Sequence, residues 1–126
     1  MKLDINNLTE VISKDDFHNL LNNIFKNKTL YSNSDLINYL DILGEKYGKF
    51  YDDNELTILE AENIHEILKE VSDFNRIDIM EQLVCILFKF RIDNYANFLK
   101  KELNSIKSEV VYNEINDALN EYEFMD

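Results

Sequence analysis

Apolar residues recur along this chain at helical spacing, and no segment sustains the period-two alternation of a half-buried strand. Phe17, Leu20, Leu21, Ile24 and Phe25 fall at i, i+3, i+4, i+7 and i+8, one stripe of a helix. Ser13 precedes the stripe as an N-cap and Asp16 sits in the first turn, so a helix is predicted over about 14 to 27. Ser34 is the next cap candidate. Leu36, Leu40, Leu43 and Tyr47 continue a near-heptad stripe over about 35 to 47, and Gly48 offers a left-handed stop. A third stripe runs through Leu56, Leu59, Ile64, Ile67, Leu68 and Val71 and ends before the polar break Ser72 to Asn75. A fourth, over about 76 to 90, carries Ile79, Leu83, Ile86, Leu87 and Phe90. After a very short break at Arg91 to Asp93 come Tyr95, Leu99, Leu103 and Ile106, and Ser108 then caps a last stripe of Val111, Ile115, Leu119 and Tyr122.

The pattern predicts an all-α fold of about six helices in one domain spanning residues 1–126. Short breaks make consecutive helices antiparallel neighbours, which gives either stacked helical hairpins or an irregular bundle. Composition narrows the alternatives. There is no proline, and the only glycines are Gly44 and Gly48. Hairpin-rich sheets and nucleotide-binding α/β folds need more glycine for turns and for close approach of backbone to phosphate. Hydrophobic residues make up 45% of the chain, enough to offset chain entropy and set it apart from disordered sequences. No run approaches the roughly 20 apolar residues of a spanning helix, and residues 1–7 lack the apolar core of a secretion signal. The lone Cys85 lies in the apolar run Leu83 to Phe88, where it reads as a small buried hydrophobe. A cytoplasmic protein without disulfides is the expectation.

Charge changes the picture more than composition does. The net charge is −12, but residues 51–73 carry −7 and 108–126 carry −6, while 74–107 carry +2. In the first acidic segment Asp52, Asp53, Glu55, Glu60, Glu62, Glu66, Glu70 and Asp73 stand against Lys69 alone. Glu62, Glu66 and Glu70 are spaced at i+4, where like charges weaken an isolated helix by a few tenths of a kcal/mol per pair. Tyr47, Phe50 and Tyr51 precede this helix, and aromatic anchors beside carboxylates are the ingredients of a binding patch. The candidate partner-binding residues are therefore Tyr47, Tyr51, Asp52, Asp53, Glu55, Glu62 and Glu66. The second acidic segment, with Glu109, Glu114, Asp117, Glu121, Glu123 and Asp126, contains no base. Fields of this sign repel nucleic acid and anionic membranes and attract a basic protein.

Catalytic templates are missing. There is no phosphate loop, no Gly-x-Ser-x-Gly elbow and no His-Glu-x-x-His pair. Asp15-x-x-His18 and Glu62-x-x-His65 have the i, i+3 spacing of di-metal bundles. The apolar stripes place both pairs on the flanks of their helices, so neither a metal nor any other cofactor is expected. Asp52-Asp53-Asn54-Glu55 lacks the alternate spacing and central glycine of a calcium loop.

The stretch Ile79-Met80-Glu81-Gln82-Leu83 to Phe90, followed by Tyr95-Ala96-Asn97-Phe98-Leu99, Leu103 and Ile106, resembles the helical-hairpin region of small HEAT-like immunity proteins. These belong to bacterial polymorphic-toxin and contact-dependent-inhibition systems, and the resemblance covers roughly residues 55 to 122. It implies a cytoplasmic inhibitor, not an enzyme, that binds one cognate toxin domain, often a basic nuclease. Binding residues vary within such families, so the acidic patch is inferred from charge alone. The alternative is a nucleic-acid mimic, such as a phage anti-restriction or anti-defence protein, in which carboxylates imitate phosphates. A helical-bundle enzyme is the third reading.

Overall fold

The computed structural model describes residues 13–47 and 56–124. Within them the chain forms α1 (Lys14–Lys26), α2 (Asn33–Tyr47), α3 (Ile58–Val71), α4 (Ile77–Phe90), α5 (Asp93–Glu102) and α6 (Glu109–Phe124). Single 3-10 turns, Lys28–Leu30 and Leu103–Ser105, follow α1 and α5. No strand occurs among the described residues. The protein is all-helical, as the periodicity predicts.

Helix starts follow side-chain chemistry. The Ser13 hydroxyl accepts from the Asp16 N–H at 3.0 Å and begins α1. The second helix begins earlier than expected because Ser32, not Ser34, supplies its cap, accepting from the Asp35 N–H at 3.0 Å. Asp35 answers by accepting from the Ser32 N–H at 3.4 Å, a reciprocal bond that Ser34 has no partner to make. Ser108 caps α6 as expected, accepting from the Val111 N–H at 3.3 Å. The fifth helix is shorter than its stripe, since it tightens into the 3-10 turn after Glu102, and Leu103 and Ile106 pack on the core from beyond its end. Helix α4 ends on Arg91 at φ 56°, a left-handed conformation that a side chain disfavours. No such stop was expected at Arg91, and Gly48, the left-handed stop expected after α2, lies outside the described residues.

The helices pack in two rows. Helices α1, α3 and α5 neighbour one another in order, as do α2, α4 and α6, and α1·α2, α2·α3, α4·α5 and α5·α6 contacts link the rows. This is the stacked arrangement that short connections impose. Helix α4 lies at its centre, with Met80, Leu83, Ile86 and Leu87 wholly buried. Its exposed arc is Asp78, Glu81, Gln82 and Cys85, so Cys85 is exposed, contrary to the buried reading of the apolar run. Composition suggested burial, but the angular position opposite Leu83 and Leu87 decides it. A β-carbon on Gly44 of α2 would lie 3.0 Å from both Cβ and Cδ of Lys89 and 3.3 Å from the Phe90 ring. Gly44 therefore serves the close approach of α2 and α4. Lys89 crosses it to reach Asp41 at 2.6 Å and Glu45 at 2.8 Å. Among the described residues no helix is long and apolar enough to cross a membrane.

Candidate functional site

Thr57-x-x-Glu60 forms a complete capping box at the start of α3. The Thr57 hydroxyl accepts from the Glu60 N–H at 3.0 Å, and Glu60 Oε1 accepts from the Thr57 N–H at 2.9 Å. The other carboxylate oxygen, Oε2, turns towards α1. There it lies 2.8 Å from His18 Nδ1 and accepts from Asn22 Nδ2 at 3.0 Å. An ionised carboxylate has no hydrogen to give, so His18 Nδ1 carries the proton of this bond. Glu60 is only 3% exposed. Burial pushes its pKa up, but the hydrogen bonds from Thr57, His18 and Asn22 outweigh that and hold it below the usual carboxylate value. One carboxylate thus caps α3 and ties it to α1. Neither role was assigned from sequence, although Thr57-x-x-Glu60 is a readable capping signature.

The cap fixes which residues of α3 face outwards. With Glu60, Ile64, Ile67, Leu68 and Val71 inward, Leu59 leaves the stripe assigned to it and is 64% exposed. Ile58 is 82% exposed. Ile58, Glu62, Glu66 and Glu70 form one i+4 row, with Leu59 beside its head. The outer face of α3 is an acidic ridge with an aliphatic tip.

The expected site residues divide accordingly. Glu62 and Glu66 lie together on the exposed ridge. Tyr47 does not join them as an exposed anchor. Its ring packs 5.6 Å from that of Phe17 and 5.5 Å from that of Phe90, because the heptad stripe of α2 carries it towards the core. The exposed apolar side chains at the head of the ridge are those of Ile58 and Leu59. Tyr51, Asp52, Asp53 and Glu55 lie outside the described residues, as do Phe50 and Asn54. The ridge is also less acidic than its segment, because Glu60 is internal and Lys28 arrives from outside the segment. Lys28, beyond the end of α1, donates to Glu70 at 2.9 Å, and Lys69 lies 3.9 Å from Glu66. On α6, Glu109, Asp117 and Glu121 are exposed and Glu114 is half-buried.

Neither histidine keeps the company that i, i+3 spacing suggested. His18 meets Glu60 across the α1–α3 contact, not Asp15. His65 is half-buried beside Tyr95 and Phe98, with ring centroids 6.3 and 6.4 Å away, and its buried Nδ1 has no hydrogen-bond partner among the described residues. Burial lowers the His65 pKa, Lys69 lowers it further and Glu66 acts the other way. Tyr95 is pushed upward by burial while its hydroxyl lies 2.7 Å from Ser72 Oγ. Among the described residues no three His, Cys, Asp or Glu side chains come together to hold a metal ion.

A concavity lies at each end of α3. A polar cleft of about 710 Å³ lies at its C-terminal end, lined by Asp35, Asn38, Ser72, Asp73, Arg76 and Gln82 among others. Its Arg76 is held by Asp78 at 2.6 Å. A smaller hollow of about 270 Å³ lies at the N-terminal end, between Ile58, Ala61 and Glu62 and the α4–α5 turn. Fold and surface together define a stack of helices with an acidic, apolar-tipped ridge. The chain matches no protein-family model, and no curated protein or solved structure matches it.

Proposed function

We propose that the protein is an inhibitor of the immunity type, which binds and neutralises a cognate basic toxin domain through the outer face of α3. The observation that carries this reading is the row headed by Ile58 and Leu59, 82% and 64% exposed, and continued by the exposed carboxylates of Glu62 and Glu66. Large aliphatic side chains placed side by side in water are favourable to cover, and carboxylates next to them select a cationic partner and speed its approach. Nucleic-acid mimicry calls for an uninterrupted row of carboxylates. Along α3 Lys69 interrupts the row, and Lys28 reaches Glu70 from the turn after α1, which favours a protein partner over mimicry.

Immunity and toxin genes are neighbours, so the test uses the protein encoded immediately upstream of this chain. Its C-terminal domain, produced alone, should arrest bacterial growth, and co-production of this chain should restore growth. The purified pair should form a complex that weakens as salt rises. A neighbour that is harmless, or that arrests growth with or without this chain, would overturn the proposal.

A further inference from the structure

The hollow beside the head of the ridge has two kinds of wall. Ile58 and Ala61 of α3 and Ile92 of the α4–α5 turn give it aliphatic sides, while Glu62 and Asp93 place carboxylates at its rim. Arg91, the cation bordering it, is held over the Tyr122 ring with its guanidinium carbon 5.4 Å from the ring centroid. Tyr122 in turn donates its hydroxyl hydrogen to Asp93. The left-handed backbone at Arg91, with φ 56°, turns the chain so that Ile92 is buried and the hollow opens between two helices.

We infer that this hollow is a side-chain pocket that takes an aliphatic residue of the basic partner with an arginine or lysine next to it. The inference rests on the proposed docking at α3 and specifies its anchor. A second copy of this chain is a poor occupant. A two-fold contact sets each patch against its own image and would bring Glu62 and Glu66 against the same carboxylates. A cationic neighbour instead gains from Glu62 and Asp93 while the aliphatic residue covers Ile58, Ala61 and Ile92. An anchor side chain desolvated in a pocket, with polar groups around it, is an arrangement that concentrates binding energy at an interface.

Three blocked dipeptide amides test the pocket by nuclear magnetic resonance titration of the uniformly labelled full chain: acetyl-Leu-Arg-amide, acetyl-Ala-Arg-amide and acetyl-Leu-Glu-amide. The first should shift the amide signals of Ala61, Glu62 and Ile92 at millimolar to tens of millimolar ligand. It should bind about tenfold more tightly than either of the others, since each lacks one of the two contacts. Ile58→Ser should reduce that affinity to the level of acetyl-Ala-Arg-amide without unfolding the protein, because Ile58 is 82% exposed and supports no core contact that must be replaced. Equal affinity for the leucyl and alanyl arginine peptides would overturn the pocket while leaving electrostatic docking at α3 in place. Shifts confined to other helices, or none at all, would also overturn it. Failure of the toxin neighbour to bind would be a separate result against the docking reading itself.

Discussion

Glu60 carries two structural duties on one side chain, and its replacement should show both. Glu60→Gln keeps the shape but weakens the acceptors that Thr57 N–H, His18 and Asn22 use. The expected loss is about 1–3 kcal/mol in urea unfolding at pH 7, the range for disturbing buried hydrogen bonds to a charged group. The acid side of the stability curve follows from the direction of the shifts. Glu60 titrates below its ordinary value of 4.5 in the folded protein, so the stability it contributes is present above pH 4.5 and lost as pH falls through the folded value. His65 titrates below its ordinary 6.5, so the unfolded chain takes up its proton first and stability also falls as pH drops below 6.5. Acidification should therefore weaken the protein in two stages. His65→Phe, which preserves an aromatic neighbour for Tyr95 and Phe98, should flatten the upper stage and leave the lower one. Urea midpoints unchanged between pH 7 and 5.5 in the native chain would contradict this assignment. Spacing suggested carboxylate neighbours for both histidines, but not Glu60 for His18, since residues 42 positions apart meet only through the α1–α3 packing.

At the scale of elements, α3 and the α2–α4 contact make opposite demands. Thr57→Ala removes the acceptor for the Glu60 N–H and should destabilise the protein by about 1 kcal/mol, the usual worth of an N-cap. Thr57→Ser should recover most of that loss, a comparison readable from thermal midpoints. Gly44 tests packing against propensity. Alanine is favoured over glycine in a helix interior by roughly 1 kcal/mol, whereas forcing atoms into a filled contact costs about 1–3 kcal/mol. The Cβ of Lys89, one of the atoms met at 3.0 Å, is fixed to its backbone and cannot swing aside. Gly44→Ala should thus fail to stabilise the protein, and Gly44→Val should destabilise it clearly. A higher melting temperature for Gly44→Ala would show that α2 and α4 can separate without loss. The periodicity of α2 disclosed its stripe but not this contact, because the pattern of one helix contains nothing about the side chains of another.

For the whole molecule, the distribution of charge matters more than its total. The segment 51–73 carries −7 by count, yet Glu60 is internal and Lys28 arrives from the end of α1 to meet Glu70. The double reversal Glu62→Lys with Glu66→Lys acts on exposed positions and should leave stability within about 0.5 kcal/mol of the native chain. It should slow association with the proposed basic partner several-fold at low salt, with the difference closing as ionic strength rises and the charges are screened beyond about 8–10 Å. Stopped-flow association rates over a salt series measure both effects. Rates indifferent to the reversal would move the search to α6, where Glu109, Asp117 and Glu121 are exposed.

Period and caps were sufficient to determine the all-helical class, the existence of each helix and most of its inward stripe. Those properties depend on residues three to four positions apart, whose relation a linear sequence already contains. The acidic character of Glu62 and Glu66 was legible for the same reason. Tertiary structure alone decided which side chains of different elements meet. It brought the Tyr47 ring against those of Phe17 and Phe90 and placed Lys28 at Glu70. Each of these outcomes depends on how one helix is rotated against another, and that rotation is fixed by groups distant in the chain, such as the His18–Glu60 tie and the Gly44–Lys89 contact.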